Sequence, residues 1–232
     1  MITITTPGDG RLIEVELNAP PGNLLTVAAC VELAALLRHP PSGAHVLRLR
    51  GAGGAFCLGR ERAATTPAEL RAETATLVEL HRAVRDSPLV TVASVHGDAA
   101  GFGVGLVAMC DVAVAASQAR FSFPEVDINL APALGLAWLP RLVGEREAFW
   151  MTATGAPIDA DRARALDLLN DVVPPADLDS EVDRRIQTLL AGPPRIHAEI
   201  KDMLRAMRSL DDDQALETSI DRLAVAALRR AD

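Results

Sequence analysis

Two glycine-rich stretches carry the first indication of chemistry. Residues 95–111 read VHGDAAGFGVGLVAMCD, four of seventeen being glycine, and end with the apolar makeup of a buried helix. Glycine lets a ligand, or another piece of backbone, come close to main-chain N–H groups. AFCLG at 55–59 and AAGFG at 99–103 each follow an apolar run with strand character. Neighbouring strands bring both loops to one sheet edge, where each can offer a backbone N–H to the same oxygen. Two converging N–H groups form an oxyanion hole, which stabilises charge developing on a carbonyl or thioester oxygen.

Other uses of the glycines fail on spacing. A dinucleotide fingerprint needs G-x-G-x-x-G, but Gly101, Gly103 and Gly105 alternate and Ala108 stands where the last glycine belongs. No Gly-Lys-Ser/Thr exists to make a phosphate loop. Lys201 is the only lysine among 23 basic residues, which argues against Schiff-base chemistry and leaves any phosphate clamp to arginine. Cys30, Cys57 and Cys110 have apolar neighbours and no zinc spacing, so they read as core residues in a reducing compartment. No metal site is expected.

A net charge of −8 argues against sequence-independent nucleic-acid binding, which needs a basic surface. No apolar run has the length of a membrane span, and MITITTPGDGR lacks the basic start and apolar core of a signal peptide. The expectation is a cytoplasmic protein without membrane attachment.

The elements that must hold these loops are legible from periodicity. Alternation at 2–6 and 11–17 around PGDG predicts a hairpin. TVAACVELAALLRH predicts a helix stopped by Pro40 and Pro41, HVLRLRG a strand, and GAGGAFCLGRER a glycine-rich loop. A helix from about 68 to 85 puts Leu70, Leu77, Leu80 and Val84 on one face. PLVTVASVHG predicts a strand buried on both sides, followed by a loop, a helix at about 103–110 and the strand DVAVAA. The chain beyond Arg141 reads as mostly helical, with breaks at 174–175 and 193–194. The class is α/β, with ligands at the carboxyl ends of parallel strands.

The ordered set AFCLGRE (55–61), VHGDAAGFGVGLVAMCD (95–111), ARFSFPEV (119–126) and LPRLVG (139–144) resembles the crotonase, or enoyl-CoA hydratase/isomerase, family. TGAPIDADRARALDLLNDVVP at 154–174 is similar to the family's later segment, a small helix before a return strand. The resemblance covers nearly the whole chain up to about residue 210. It implies a crotonase-like spiral of ββα units over 1–190 and a helical trimerisation region over 191–232, shortened relative to family chains.

The resemblance assigns roles to particular residues. The oxyanion N–H groups fall on Leu58, where the family usually has alanine, and on Phe102, the middle of GFG. Gly59, Arg60, Gly103 and Gly105 fall in the substrate-binding loops, with Arg60 and Arg62 as candidates for coenzyme A phosphates. Glu61 stands where the family often has aspartate and reads as a loop-ordering residue. Glu125 matches the F-x-x-P-E pattern and is the catalytic acid/base, raised in pKa by burial among Phe121, Phe123 and Val126. His81, His96, Trp138 and Trp150 read as packing residues.

One departure bears on the reaction. Family hydratases carry a first glutamate at the position of Gly105, so this chain keeps only the second carboxylate. Two carboxylates suit the addition of water, whereas moving a double bond by carrying a proton between C2 and C4 needs one base and an enolate stabiliser. Ala133 stands where dienoyl-CoA isomerases have a second acid, and LAPALG lacks the dehalogenase nucleophile. Implied are an acyl-CoA or acyl carrier protein thioester as substrate, no cofactor beyond coenzyme A within the substrate, and a homotrimer or dimer of trimers. Isomerisation and single-acid hydration both remain open. A non-catalytic thioester-binding subunit is the alternative from another class, suggested by Gly105, Leu58 and the shortened end.

Overall fold

Alternating apolar residues pair the first two strands, β1 (Ile2–Thr5) and β2 (Leu12–Leu17), into an antiparallel hairpin with Ile2 opposite Leu17. The computed structural model describes residues 1–19 and 21–228. Helix α1 (Val27–Arg38) starts where the Thr26 hydroxyl accepts the Ala29 N–H at 3.0 Å. Strand β3 (Val46–Gly51) follows, and then β4 (Ala55–Cys57), a three-residue strand inside the segment that its glycines mark as a loop. A capping box opens α2 (Pro67–Asp86): the Thr66 hydroxyl accepts the Glu69 N–H, and the Glu69 carboxylate accepts the Thr66 N–H.

The same order then repeats. Strand β5 (Val90–Val95), buried at every residue as its valine-rich run predicts, leads into short β6 (Asp98–Ala100) and helix α3 (Phe102–Met109). Strands β7 (Val112–Ala116) and β8 (Arg120–Ser122) come next, followed by a single 3-10 turn at Pro124–Ile128. The remaining chain holds α4 (Ala133–Leu136), α5 (Pro140–Val143), α6 (Glu145–Thr154), β9 (Ile158–Asp159), α7 (Ala160–Ala165) and β10 (Asp171–Val173). Helices α8 (Leu178–Ala191), α9 (Pro194–Met207) and α10 (Asp212–Leu228) end the described part. Residues 229–232, the end of the C-terminal region expected at 191–232, lie outside the described residues.

From β3 to β8, successive strands alternate between two sheets. The larger has the order β1-β2-β3-β5-β7-β10, parallel from β2 onward, and the smaller the order β4-β6-β8-β9. Over this stretch each turn of the chain lays one strand in each sheet before the next helix or helical turn, which is the spiral of ββα units that the motifs imply. The larger sheet is covered on both faces. Ile13, Val15, Leu47, Leu49, Ala93 and Val95 share one cluster with α1, α2 and α3, while Val46, Val90, Val92 and Val114 pack on α8 through Leu178, Val182 and Ile186. Period-two alternation along each strand divides its side chains between these clusters.

Charge is buried in the second face too. Arg48, 4% exposed, faces α8, where it pairs with Asp179 and with Asp183 at 3.1 Å and also reaches Ser94 at 3.2 Å. Lys201 on α9 bonds the Leu89 carbonyl at 2.7 Å and Asp111 at 2.8 Å, so the lone lysine fastens a helix to the sheet. No helix among the described residues is long and apolar enough to cross a membrane.

Candidate active site

Parallel pairing of β4 with β6, Cys57 beside Ala99, brings the two glycine-rich loops together at the carboxyl ends of neighbouring strands. A Cβ on Gly103 would lie 2.0 Å from the Cys57 carbonyl oxygen, and one on Gly59 would lie 3.6 Å from the Ala100 oxygen. Gly103 therefore serves close backbone packing of α3 on β4, and any side chain there would push the helix away. Gly59 has φ of +123°, a conformation that turns the chain at the end of β4 and that side-chain-bearing residues rarely adopt.

The N–H groups on this edge fall differently from the expectation. Leu58 donates its N–H to the Gly22 carbonyl at 2.8 Å, so that donor is already taken and is not available to a ligand oxygen. Its side chain, 42% exposed, lies over Gly22. The donor two residues on is open. Arg60 forms a parallel bridge with Leu25, in which Leu25 N–H donates to the Gly59 carbonyl at 3.0 Å and Glu61 N–H donates to the Leu25 carbonyl at 2.9 Å. In a parallel bridge the residue between two bonded neighbours turns its own N–H to the opposite side, here toward β6 and the start of α3. Among the described residues nothing accepts the Arg60 N–H.

Phe102 supplies the second open donor. It is the first residue of α3, whose N-cap Gly101 provides no side-chain acceptor, and the opening N–H groups of a helix have no partner within it. Gly101 adopts φ 53° and ψ −117°, a combination open only to glycine without strain, and this aims the helix start at the loop edge.

Glu125 completes the site. The 3-10 turn after β8 starts on Pro124 and carries Glu125 to the N-terminus of α3, where a Cβ on Gly101 would lie 2.6 Å from Oε1. A side chain at 101 would displace the carboxylate. Its other oxygen, Oε2, is buried without a hydrogen-bond partner. Burial raises the Glu125 pKa above the ordinary value of 4.5; its own backbone N–H, Arg62 and Arg60 pull in the other direction. Phe121 and Phe123 are fully buried on either side of Ser122, whereas Val126 is 39% exposed and covers less of the carboxylate than its sequence position suggests.

The other singled-out residues divide. The Arg60 guanidinium is turned to Glu73 on α2 at 3.0 Å, the pair being 17% and 13% exposed. Glu61 and Arg62 are exposed, and the bond from Glu61 to Leu25 is made by its main-chain N–H. Gly105 lies one turn into α3, and a Cβ there would meet Trp138 Cζ2 at 3.7 Å, an ordinary contact. His96 Nε2 bonds the Gly53 carbonyl at 2.8 Å, His81 is half-buried, and Trp138 packs against Phe123 with ring centroids 6.2 Å apart. Trp150, expected to pack, is instead 61% exposed, because α6 turns Ala148, Met151 and Thr152 inward.

Sequence reasoning passed over Asn23. Held at φ 55° and almost fully buried, it donates Nδ2 to the Ala52 and Ala55 carbonyls at 2.8 and 2.7 Å and accepts the Ala19 N–H at 3.1 Å. It ties the 21–25 segment to β4, and that segment takes up the Leu58 N–H and orients Arg60. The available signal was PGN at 21–23, where asparagine tolerates a left-handed turn.

An open donor on each of two touching loops, with an under-bonded carboxylate beside one of them, suits proton transfer next to a carbonyl whose oxygen takes up negative charge. The enoyl-CoA hydratase/isomerase profile matches residues 8–226. A probable enoyl-CoA hydratase of Rhodobacter capsulatus is 34% identical over 188 residues, 79% of this chain and 73% of its own length. A putative enoyl-CoA hydratase of Thermus thermophilus is 33% identical over 171 residues, 71% of this chain and 68% of its own. Among solved structures, an enoyl-CoA hydratase of Mycobacterium smegmatis superposes with a TM-score of 0.91 at 28% identity, covering 97% of this chain and 90% of that one. A putative enoyl-CoA hydratase of Thermobifida fusca, solved in complex with CoA, gives 0.86 at 27% identity over 99% of this chain and 94% of that one. Matched along nearly its whole length in sequence and in fold, the chain belongs to the enoyl-CoA hydratase/isomerase family of enzymes.

Proposed function

We propose that the chain converts acyl-CoA thioesters through an enolate held by the Arg60 and Phe102 N–H groups, with Glu125 as the single proton carrier. The reaction favoured by the site is migration of a double bond. The Glu125 carboxylate takes a proton from C2 of a 3-enoyl thioester, and the electron pair passes into the dienolate, whose oxygen accepts both N–H groups. The same carboxyl returns the proton at C4, leaving the 2-enoyl thioester. No group is consumed, and one base near both carbons suffices.

One observation carries this reading. Glu125 stands at the N-terminus of α3 with a raised pKa and an unpartnered oxygen, while the next turn of that helix offers Gly105 and an indole in place of a second acid. Hydration is the second reading, favoured by the names of the relatives. Coenzyme A is preferred over an acyl carrier protein as the thioester carrier because a structural relative was solved with CoA bound. A homotrimer, or a dimer of trimers, is part of the same proposal; exposed apolar side chains on α6 and α10, Phe149, Trp150, Leu216 and Leu223 among them, support a covered surface there.

The deciding experiment supplies matched 3-enoyl-CoA and 2-enoyl-CoA substrates and separates the products by mass spectrometry. Conversion of the 3-enoyl to the 2-enoyl thioester is expected to outpace water addition by about a hundredfold or more, the lower end of what one positioned acid/base group contributes. Hydroxyacyl product forming at an equal or higher rate would overturn the isomerase reading in favour of single-acid hydration.

A further inference from the structure

Trp138, which its sequence position marks only as a packing residue, stands against the helix that opens with the Phe102 donor. Gly101, Phe102 and Gly105 share one face of α3, since residues three and four apart on a helix are neighbours. Glu125 sits at the Gly101 end of that face, and the Trp138 indole sits at the Gly105 end, 3.7 Å from where a Cβ would be. Gly101 and Gly105 are four residues apart, about 6 Å along a helix axis. Phe123, two residues before Glu125, packs on the indole with ring centroids 6.2 Å apart, and Gly135 of α4 packs on the Phe123 ring with its Cβ position 3.0 Å from Cε1. The ring thus touches both the helix that carries the donor and the segment that carries the base. Met109 Cε and Phe102 Cδ2 also come within 4.0 Å of the Gly105 Cβ position, so the lining there is apolar.

We propose that Trp138 is a specificity-determining residue, whose indole forms the end wall of the acyl cleft beneath Glu125 and limits the length of the acyl group. This rests on the thioester reading above. A glycine at 105 leaves the indole free to stand against the helix, and a large, stiff ring at that point stops an extended chain where a smaller side chain would let it pass. A hydrophobic wall discriminates by methylene count, each added or excluded methylene changing the preference by about tenfold or more.

The test is a ladder of saturated acyl-CoA thioesters, butyryl to lauroyl, titrated by calorimetry into the wild-type chain and Trp138→Ala. Binding reads the wall without requiring turnover. Affinity of the wild type is expected to stop rising at a short chain length. In Trp138→Ala the break moves to longer chains, with about a tenfold gain for those members relative to butyryl. Superimposable ladders from two folded proteins would overturn the proposal. Should Trp138→Ala fail to fold, Trp138→Phe keeps a ring against Phe123 and must move the break in the same direction by less; an unmoved break there overturns the proposal equally. Wild-type protein that binds no acyl-CoA of any length would instead sink the thioester reading itself.

Discussion

Glu125→Gln is expected to lower turnover of the 3-enoyl thioester by about a hundredfold to ten-thousandfold, the range for removing a positioned general base, while making the fold more stable at neutral pH. Both effects have one origin. The carboxylate is held at the α3 N-terminus with Oε2 buried and unpartnered, and burial raises its pKa. A raised folded-state pKa means that the fold favours the protonated form. The stabilisation from that preference is complete below the ordinary value of 4.5 and is lost as pH rises through the folded-state value. At pH 7 the wild type therefore carries the cost of a poorly solvated anion, which glutamine removes. A gain of about 1 kcal/mol is expected, or roughly 2–4 °C in thermal midpoint for a chain of this size. The difference between the two proteins shrinks as the pH falls through the raised Glu125 pKa and levels off below 4.5. Activity runs the other way: the base must be ionised, so kcat/KM of the wild type rises with pH through the Glu125 pKa, and Glu125→Gln lacks that limb. A variant both inactive and destabilised at neutral pH would show that Glu125 is part of the framework and not the proton carrier.

Phe102→Pro and Phe102→Ala separate the backbone donor from the side chain above it. Proline at the first position of a helix removes an N–H that has no helical partner, and its fixed φ suits that position. The preceding residue normally restricts such a change, but Gly101 lacks the Cβ that clashes with a following proline ring. Phe102→Pro is expected to fold and to lose about a hundredfold to a thousandfold in kcat, the scale of one oxyanion donor. Phe102→Ala keeps the N–H and is expected to change KM more than kcat. Equal losses of kcat in both variants, measured with circular dichroism confirming the fold, would contradict the assignment of the Phe102 N–H.

The large sheet and its helices were legible because their signals are local. Period-two alternation marked β1 to β3, the unbroken run VTVASV marked β5, and apolar residues at helical spacing marked α1 and α2, with Pro40 and Pro41 ending the first. Strands β4 and β6 were hidden because three residues beside glycines carry too little pattern; only pairing with one another makes them strands. At the site, Glu125 was legible from the segment around it, and the meeting of the two loops from the order of strands and glycines. The choice between Leu58 and Arg60 was not. A backbone N–H is open or taken according to its neighbour in space, and here Gly22 and Leu25, more than thirty residues earlier in the chain, decide it. The burial of Arg48 and the placement of Trp138 against Gly105 depend on packing between distant elements in the same way.

In the proposed mechanism Glu125 carries a proton to and from the carbon beside a thioester whose oxygen is held by two backbone N–H groups. It is tested most directly by incubating wild type and Glu125→Gln with saturated and 3-enoyl-CoA thioesters in D2O and following deuterium uptake at the α-carbon by mass spectrometry. Uptake by the wild type that disappears in Glu125→Gln, with acyl-CoA affinity retained, is the predicted result. Uptake that persists in the variant, or a wild type that binds the thioesters and exchanges none, would contradict it.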